Sequence, residues 1–269
     1  MRTMLLALAV TWLSACDPIE PNYLEPDWPR RVEDHATTEP EPDGDLLVVS
    51  YNLFQGRDVP AAIAALRDGP LAGADLVLMQ EMEDEGVDDI ASVLGLRYVY
   101  YPASVKAGRD WGNAVLSRWP LVEYHKVLLP HADPYSDSRR IATRATVDIG
   151  GRMLLVYSTH IATPSLGLGA RLDQVEAIAD DAGDELPAVI GGDFNTADPG
   201  SSGQTLELLR VRDFAWASDR ATDTGTAFGL RDATLDYVFA RGLAAGASGT
   251  FRGDAGSDHR PIWVELAAP

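Results

Sequence analysis

The chain has 269 residues, 46% of them hydrophobic, enough for one large core, and a single α/β domain of about 200 to 250 residues is an ordinary size. Its formal net charge of -19, from 41 acidic against 22 basic residues, disfavours non-specific adhesion to nucleic acid or to anionic lipid headgroups. Cys16 is the only cysteine, so no disulfide framework is open to the chain and stability outside the cytoplasm would rest on packing and bound metal.

Met1 and Arg2 precede an apolar run over residues 4–13, followed by Ser14, Ala15 and Cys16. Charge, length and small-residue ending are those of a secretory signal, too short to span a bilayer. Leu13-Ser14-Ala15-Cys16 looks like a bacterial lipobox, which makes residues 1–15 a lipoprotein signal peptide and Cys16 the acylated start of the mature chain. The expected address is therefore a bacterial cell envelope, periplasmic or outer surface, with the membrane as a partner. Residues 16–44 are rich in proline and glutamate and show no apolar period, so they read as a flexible tether ahead of one folded domain over residues 45–269.

Within that domain, residues 45–51 (DLLVVSY) form a buried-strand pattern ending at Asn52, and residues 60–67 read as a short helix opened by Pro60. Residues 74–80 (ADLVLMQ) are a second apolar strand, ending at Glu81. Residues 87–94 are helical, and residues 97–101 and 114–116 are short strands flanking a loop that carries Lys106, Arg109, Asp110 and Asn113. Strands over residues 121–129 and 141–147 are joined by a polar loop, residues 130–139, and residues 153–158 (MLLVYS) run into Thr159 and His160. Leu172, Val175, Ile178, Ala179 and Ala182 recur at helical spacing, the mark of an amphipathic helix laid on a sheet.

Residues 188–195 (AVIGGDFN) follow, an apolar run whose paired glycines Gly191 and Gly192 admit a close backbone and whose polar end carries Asp193 and Asn195. A short helix from Ser202 through Leu208 leads to an irregular region. Two last strands, residues 235–240 (LDYVFA) and 261–266 (PIWVEL), have their polar residues, Asp236 and the pair Asp258 and His259, at or just before the beginning. If these groups gather at one edge, four strands run toward it and two away, so the sheets are mixed. There is no internal repeat and no dinucleotide or P-loop glycine pattern.

Collected at one edge, the set is Asn52, Glu81, His160, Asp193, Asn195, Asp236, Asp258 and His259. Taken singly each has an ordinary structural role: turn, surface carboxylate, core histidine or cap. Together, carboxylates and carboxamides without cysteine suit a hard cation such as Mg²⁺, while two histidines supply proton and hydrogen-bond chemistry.

The ordered series YN (Tyr51, Asn52), QE (Gln80, Glu81), GNAVLSRWP (residues 112–120), STH (residues 158–160), GDFN (residues 192–195), LDYVF (residues 235–239) and SDHRPI (residues 257–262) resembles the endonuclease/exonuclease/phosphatase superfamily, as do Arg171 and Gln174 on the amphipathic helix. The resemblance implies a DNase I-like α/β (α+β) fold, a four-layer αββα sandwich of two face-to-face mixed sheets with helices outside. It also implies an Mg²⁺-dependent hydrolase, with Mn²⁺ or Ca²⁺ as substitutes, acting on a nucleic acid or lipid headgroup phosphodiester as a monomer.

Carried over residue by residue, it makes Glu81 the principal metal carboxylate, supported by Asn52 and Asp258, and makes Asp193 the group that activates water. Asn195 holds that water or a phosphate oxygen, His160 and His259 donate to the phosphoryl group, and Asp236 orients His259. Asn113 and Arg140 become candidate substrate contacts, and Asp110 a candidate partner of His160. The sequence places a DNase I-like nuclease or related phosphodiesterase first. A sphingomyelinase-like lipid phosphodiesterase, a small-molecule phosphomonoesterase and a catalytically silent tethered binding module remain open beside it.

Overall fold

The structure, a computed structural model, describes residues 22–38, 40–41, 44–196, 198–227 and 231–269. The leader expected over residues 1–15 and the lipidation expected at Cys16 fall outside the described residues. In chain order come β1 (Arg31–Asp34), β2 (Asp45–Asn52), α1 (Val59–Leu66), β3 (Leu76–Met82), α2 (Asp84–Leu94), β4 (Arg97–Lys106), β5 (Arg109–Ser117), β6 (Leu121–Ala132) and β7 (Arg139–Ile149). Then follow β8 (Arg152–His160), α3 (Leu168–Asp181), β9 (Ala188–Asp193), α4 (Pro199–Arg210), β10 (Ala215–Trp216), β11 (Gly225–Ala227), β12 (Arg231–Ala233), β13 (Asp236–Arg241), β14 (Ala245–Thr250) and β15 (Ile262–Ala267).

Two large sheets form, one ordered β1-β4-β5-β3-β2-β15-β14 and the other β10-β13-β9-β8-β7-β6. Alternation along each strand sends one set of side chains between the sheets and the other set under helices. Val48 faces inward, in a cluster with Leu76, Leu78, Val115, Ala145, Val156, Val189 and Val238. Its neighbour Val49 faces outward, packed with Ala62, Leu66, Val87 and Ile90 of α1 and α2. On the other sheet Tyr157, Ile190 and Phe239 lie under Val175, Ile178 and Leu209 of α3 and α4. The result is the four-layer sandwich, and burial on both faces is why these strands read as continuous apolar runs.

Strand directions follow the sequence expectation. β2 is parallel to β3 and β8 is parallel to β9, while β13 and β15 run antiparallel to β9 and β2. The paired glycines make the sheets fit. A Cβ on Gly191 would stand 2.5 Å from Leu78 Cδ1 of the facing sheet, and one on Gly192, at φ +153, would stand 1.8 Å from Thr159 O.

Three sequence expectations are corrected. The tether does not extend to residue 44: β1 is an edge strand paired antiparallel with β4, and Asn22 bridges to Ser104. Residues 22–38 order without a core of their own because the domain satisfies their backbone. Tyr23 N donates to Ala103 O, and the buried Lys126 ammonium donates to Tyr23 O and Trp28 O at 2.7 and 3.0 Å. Next, Lys106, Arg109, Asp110 and Asn113 are not on a long loop. β4 and β5 are one hairpin closed by Ala107 and Gly108, both at positive φ, the left-handed pair that a two-residue turn requires. Finally, the irregular region after α4 contributes β10, β11 and β12, too short to show a period, and β14 lies at the sheet edge.

Candidate active site

The site forms where strands from both sheets end together. In the second sheet, His160, Asp193 and Asp236 are register partners across β8, β9 and β13, so three chemical side chains start at one level. In the first sheet, Asn52 closes β2 beside Gln80. The β3–β5 register shifts between Met79 and Met82, and Glu81 sits in that irregularity at φ 57. A bulge of this kind re-aims a side chain, and here Gln80 points between the sheets to Ser158 Oγ while Glu81 turns into the cleft. Asn195 is likewise left-handed, at φ 52, with its amide N–H on Asp193 Oδ1 at 2.8 Å. Non-glycine residues held at positive φ within a site carry backbone strain that the surrounding structure must sustain.

Asn52 joins the two sheets, its Nδ2 donating to Asp193 Oδ2 at 3.1 Å and to Glu81 Oε1 at 3.4 Å. His259 precedes β15 and is fixed from two sides. Ser257 Oγ donates to Asn52 O and accepts the His259 N–H, and the Nδ1 of the ring meets Asp236 Oδ2 at 2.8 Å. The other ring nitrogen, Nε2, faces Asp193 Oδ2 at 3.7 Å. Burial opposes a charge on this imidazole, but Asp236 first and Asp193 next outweigh it, so His259 is held well above its ordinary value and is protonated through neutral pH. Asp193 moves upward, by burial and then by repulsion from Asp236 and Glu81, against the pull of His259.

His160 is different. Arg140 Nη1 lies 3.1 Å from its Nδ1, and a guanidinium only donates, so Nδ1 accepts and the ring proton sits on Nε2. Burial, then the Arg140 charge, hold His160 well below its usual value. It is a neutral donor whose Nε2 lies 3.3 Å from Asp193 Oδ2. Arg140 itself stacks on Trp111, 4.5 Å from the ring centre.

These groups open on a cavity of about 390 Å³ lined by Glu81, Arg140, His160, Asp193, Asn195 and His259 on its chemical side. Lys106, Trp111, Ser136, Ser138 and Thr163 complete the wall, Trp111 against Arg140 and His160. Of these five, Lys106 alone was named from the sequence, and only as part of a loop. Hydroxyls on a polar loop and a tryptophan beside the GNAVLSRWP run carry no periodic signal.

Three candidates are corrected. Asp258 is exposed and lines a separate depression with Phe54, Arg57 and Asp254, because the turn that aims His259 inward sends its neighbour outward. Asn113 is buried, its amide donating to Ile141 O at 3.0 Å and Ser158 O at 3.4 Å, which makes it a tie between sheets rather than a cleft residue. Asp110 accepts from Tyr23 OH at 2.8 Å, and the position near His160 Nδ1 is taken by Arg140.

Glu81, partly exposed at the cleft, offers carboxylate oxygens that fit a hard divalent cation, while Asn52 turns its Nδ2 to Glu81 and its Oδ1 accepts the Phe54 N–H. Asp193, Asp236 and His259 also place one ligand-type atom each within 4.8 Å of one another, although Asp236 and His259 are already paired.

A four-layer sandwich with this constellation at one rim defines a class, the phosphoester hydrolases of DNase I-like fold. The chain belongs to the Endonuclease/Exonuclease/phosphatase family, whose model matches residues 49–259. Similar solved structures include an endonuclease/exonuclease/phosphatase from Beutenbergia cavernae DSM 12333, 21% identical with a TM-score of 0.70, covering 83% of this chain and 72% of that one. The mannosyl-6-phosphatase Bt3783 of Bacteroides thetaiotaomicron VPI-5482 is 19% identical with a TM-score of 0.62, over 82% of this chain and 99% of its own. Sphingomyelinase C from Streptomyces griseocarneus is also 19% identical, with a TM-score of 0.61, over 83% and 99%. At these identities the likeness is one of fold. No curated protein matches the sequence.

Proposed function

We propose that the protein is an envelope-anchored, Mg²⁺-dependent phosphodiesterase, with Mn²⁺ or Ca²⁺ as substitute ions, held through an acylated Cys16. The observation that carries the reading is the meeting of Asp193 with Asn195, His160 and His259 beside the Glu81 carboxylate and the Asn52 amide, with no serine or cysteine nucleophile among them. Asp193 orients a water and takes its proton, so that the water attacks phosphorus in line with the leaving oxygen. Its raised proton affinity suits a base working near neutral pH.

Asn195, whose Nδ2 donates to Ile161 O, holds the water or a non-bridging phosphate oxygen. Protonated His259, fixed by Asp236, donates from Nε2 as charge builds on the phosphoryl group, and neutral His160 adds a hydrogen bond without giving up a proton. Arg140, bonded to His160 Nδ1 and stacked on Trp111, lines the cavity, which suits it to a substrate phosphate oxygen. A divalent ion held by Glu81 and Asn52 would polarise a phosphate oxygen and stabilise the leaving one.

The reading stays at the level of the phosphodiester because cations near the cleft other than Arg140 are engaged: Arg57 stacks on Phe54, Arg109 pairs with Glu83 and Lys106 lies over Trp111. A long nucleic-acid track would use such residues on backbone phosphates. The test is Mg²⁺-dependent turnover of bis(p-nitrophenyl) phosphate against p-nitrophenyl phosphate, with plasmid DNA as a separate arm. Diester cleavage that is lost in Asp193→Asn supports the proposal, and turnover of the monoester alone overturns it. Cleavage of plasmid DNA would return the reading to the nuclease expected from the motifs.

A further inference from the structure

The segment that composition assigns to a spacer is part of the wall of the cleft. Asn22 pairs with Ser104, donates from Nδ2 to Asp137 O at 2.7 Å, and accepts the Arg139 N–H on Oδ1 at 2.8 Å. It thereby pins the loop whose Ser136 and Ser138 line the cavity. The Lys126 ammonium, bonded to both Tyr23 O and Trp28 O, draws the two ends of the next turn together at the same edge.

This edge exposes large apolar side chains. Leu24 is 53% exposed, Trp28 67% and, on the loop that Asn22 pins, Tyr135 89%. They are the aromatic members of the exposed large hydrophobic set among the described residues, together with a leucine, and none is needed for packing. Leu24 is two residues from Asn22, Tyr135 is two from Asp137, and Trp28 O shares the Lys126 ammonium with Tyr23 O, so the three lie within about 30 Å of one another. Exposed tryptophan and tyrosine beside a site mark a docking surface, and their amphipathic rings favour the boundary between water and lipid.

We infer that the surface formed by Leu24, Trp28 and Tyr135 docks on a zwitterionic phospholipid bilayer and sets the cleft against its headgroup phosphodiesters. Two further observations commit the surface to lipid rather than to protein. Cys16, the proposed anchor, precedes Asn22 by six residues, a span of about 20 Å at full extension, so an acylated chain would bring this rim to the membrane. The neighbouring carboxylates Glu25, Asp27 and Asp137 are exposed, which repels anionic headgroups and leaves zwitterionic ones. The docking surface rests on the exposed residues, while the headgroup as substrate rests on the phosphodiesterase reading.

The test reads these parts separately. The full processed protein is mixed with vesicles of phosphatidylcholine carrying brominated acyl chains, and tryptophan quenching is compared between wild type and Trp28→Phe. Among the other described tryptophans Trp111 and Trp119 are buried and Trp216 and Trp263 half-buried, so the wild type should be quenched and Trp28→Phe much less. Equal quenching of the two, or none in either, overturns the docking surface.

Quenching as strong on vesicles of brominated phosphatidylglycerol overturns the zwitterionic preference. Trp28→Phe and Tyr135→Ser should turn over soluble bis(p-nitrophenyl) phosphate like wild type, which shows that they fold. Their release of headgroup from phosphatidylcholine vesicles should fall about tenfold, because the anchor still holds the protein at the surface while the cleft is no longer set against the headgroups. A wild type that cleaves the soluble diester but releases no headgroup overturns the headgroup assignment. One that cleaves neither counts against the phosphodiesterase reading, and quenching then still decides docking.

Discussion

Asp236→Asn isolates one electrostatic interaction from the rest of the site. Asp236 is buried, and its Oδ2 stands 2.8 Å from His259 Nδ1. At that separation two unit charges attract by about 6 kcal/mol at an effective dielectric near 20, a gross figure from which burial of both ions subtracts. Asparagine keeps the shape and removes the charge. His259 then loses the largest influence raising its proton affinity, and burial pulls it back toward or below its ordinary value near 6.5.

The expected result is a fall in turnover of bis(p-nitrophenyl) phosphate on the order of 10²- to 10⁴-fold at pH 8, the range for loss of a positioned acid or base. The loss should shrink as pH drops, because acid restores the His259 proton that the carboxylate had held. The assay is the rate of diester cleavage from pH 5 to 9 for both proteins, with the imidazole followed by NMR. An Asn variant within threefold of wild type at pH 8, or with an unshifted alkaline limb, would refute the role given to Asp236.

Other expectations are narrower. Glu81→Gln should weaken Mn²⁺ binding in a direct titration more than His259→Ala does, because only Glu81 is a proposed ligand, and equal affinities would remove it from that role. Gly192→Ala should destabilise the domain by roughly 3 kcal/mol or more in a denaturant melt, since its Cβ would fall 1.8 Å from Thr159 O in a parallel pair that cannot separate without opening the site. Lys126→Met should speed hydrogen exchange over residues 22–28 and leave α3 unchanged, because the ammonium is what Tyr23 O and Trp28 O share.

Asp181 is buried enough to disfavour its charge, yet hydrogen bonds from His125 and Tyr157 outweigh that and lower its affinity for a proton. Its stabilisation is therefore present above the unfolded value near 3.9 and lost as pH falls through the lower folded one. Urea melts from pH 5 to 2 should show that loss in wild type and a flatter profile in Asp181→Asn.

Strand polarity in the sequence determined the direction of most strands, and the family resemblance implied the layers. Residues 45–51 and 74–80 are apolar on both faces, which only a doubly covered sheet accommodates, and the polar residues fall at strand ends or strand starts. That polarity sufficed to require mixed sheets, and the ordered motifs sufficed to nominate Glu81, His160, Asp193, Asn195, Asp236 and His259, all of which meet.

What sequence could not decide depends on where a side chain turns after its strand ends. Asp258 and His259 are adjacent letters, but one backbone turn sends them to different depressions. Asn113 and Arg140 are both polar residues near strand ends, and only sheet packing makes one a tie and the other a partner of His160. The proline-rich segment has no apolar period, so no local pattern reports that β4, Lys126 and the loop after β6 supply its partners from far along the chain. Local periodicity records burial of an element against its own layer. Contacts between segments far apart in the chain exist only once those layers have closed on each other.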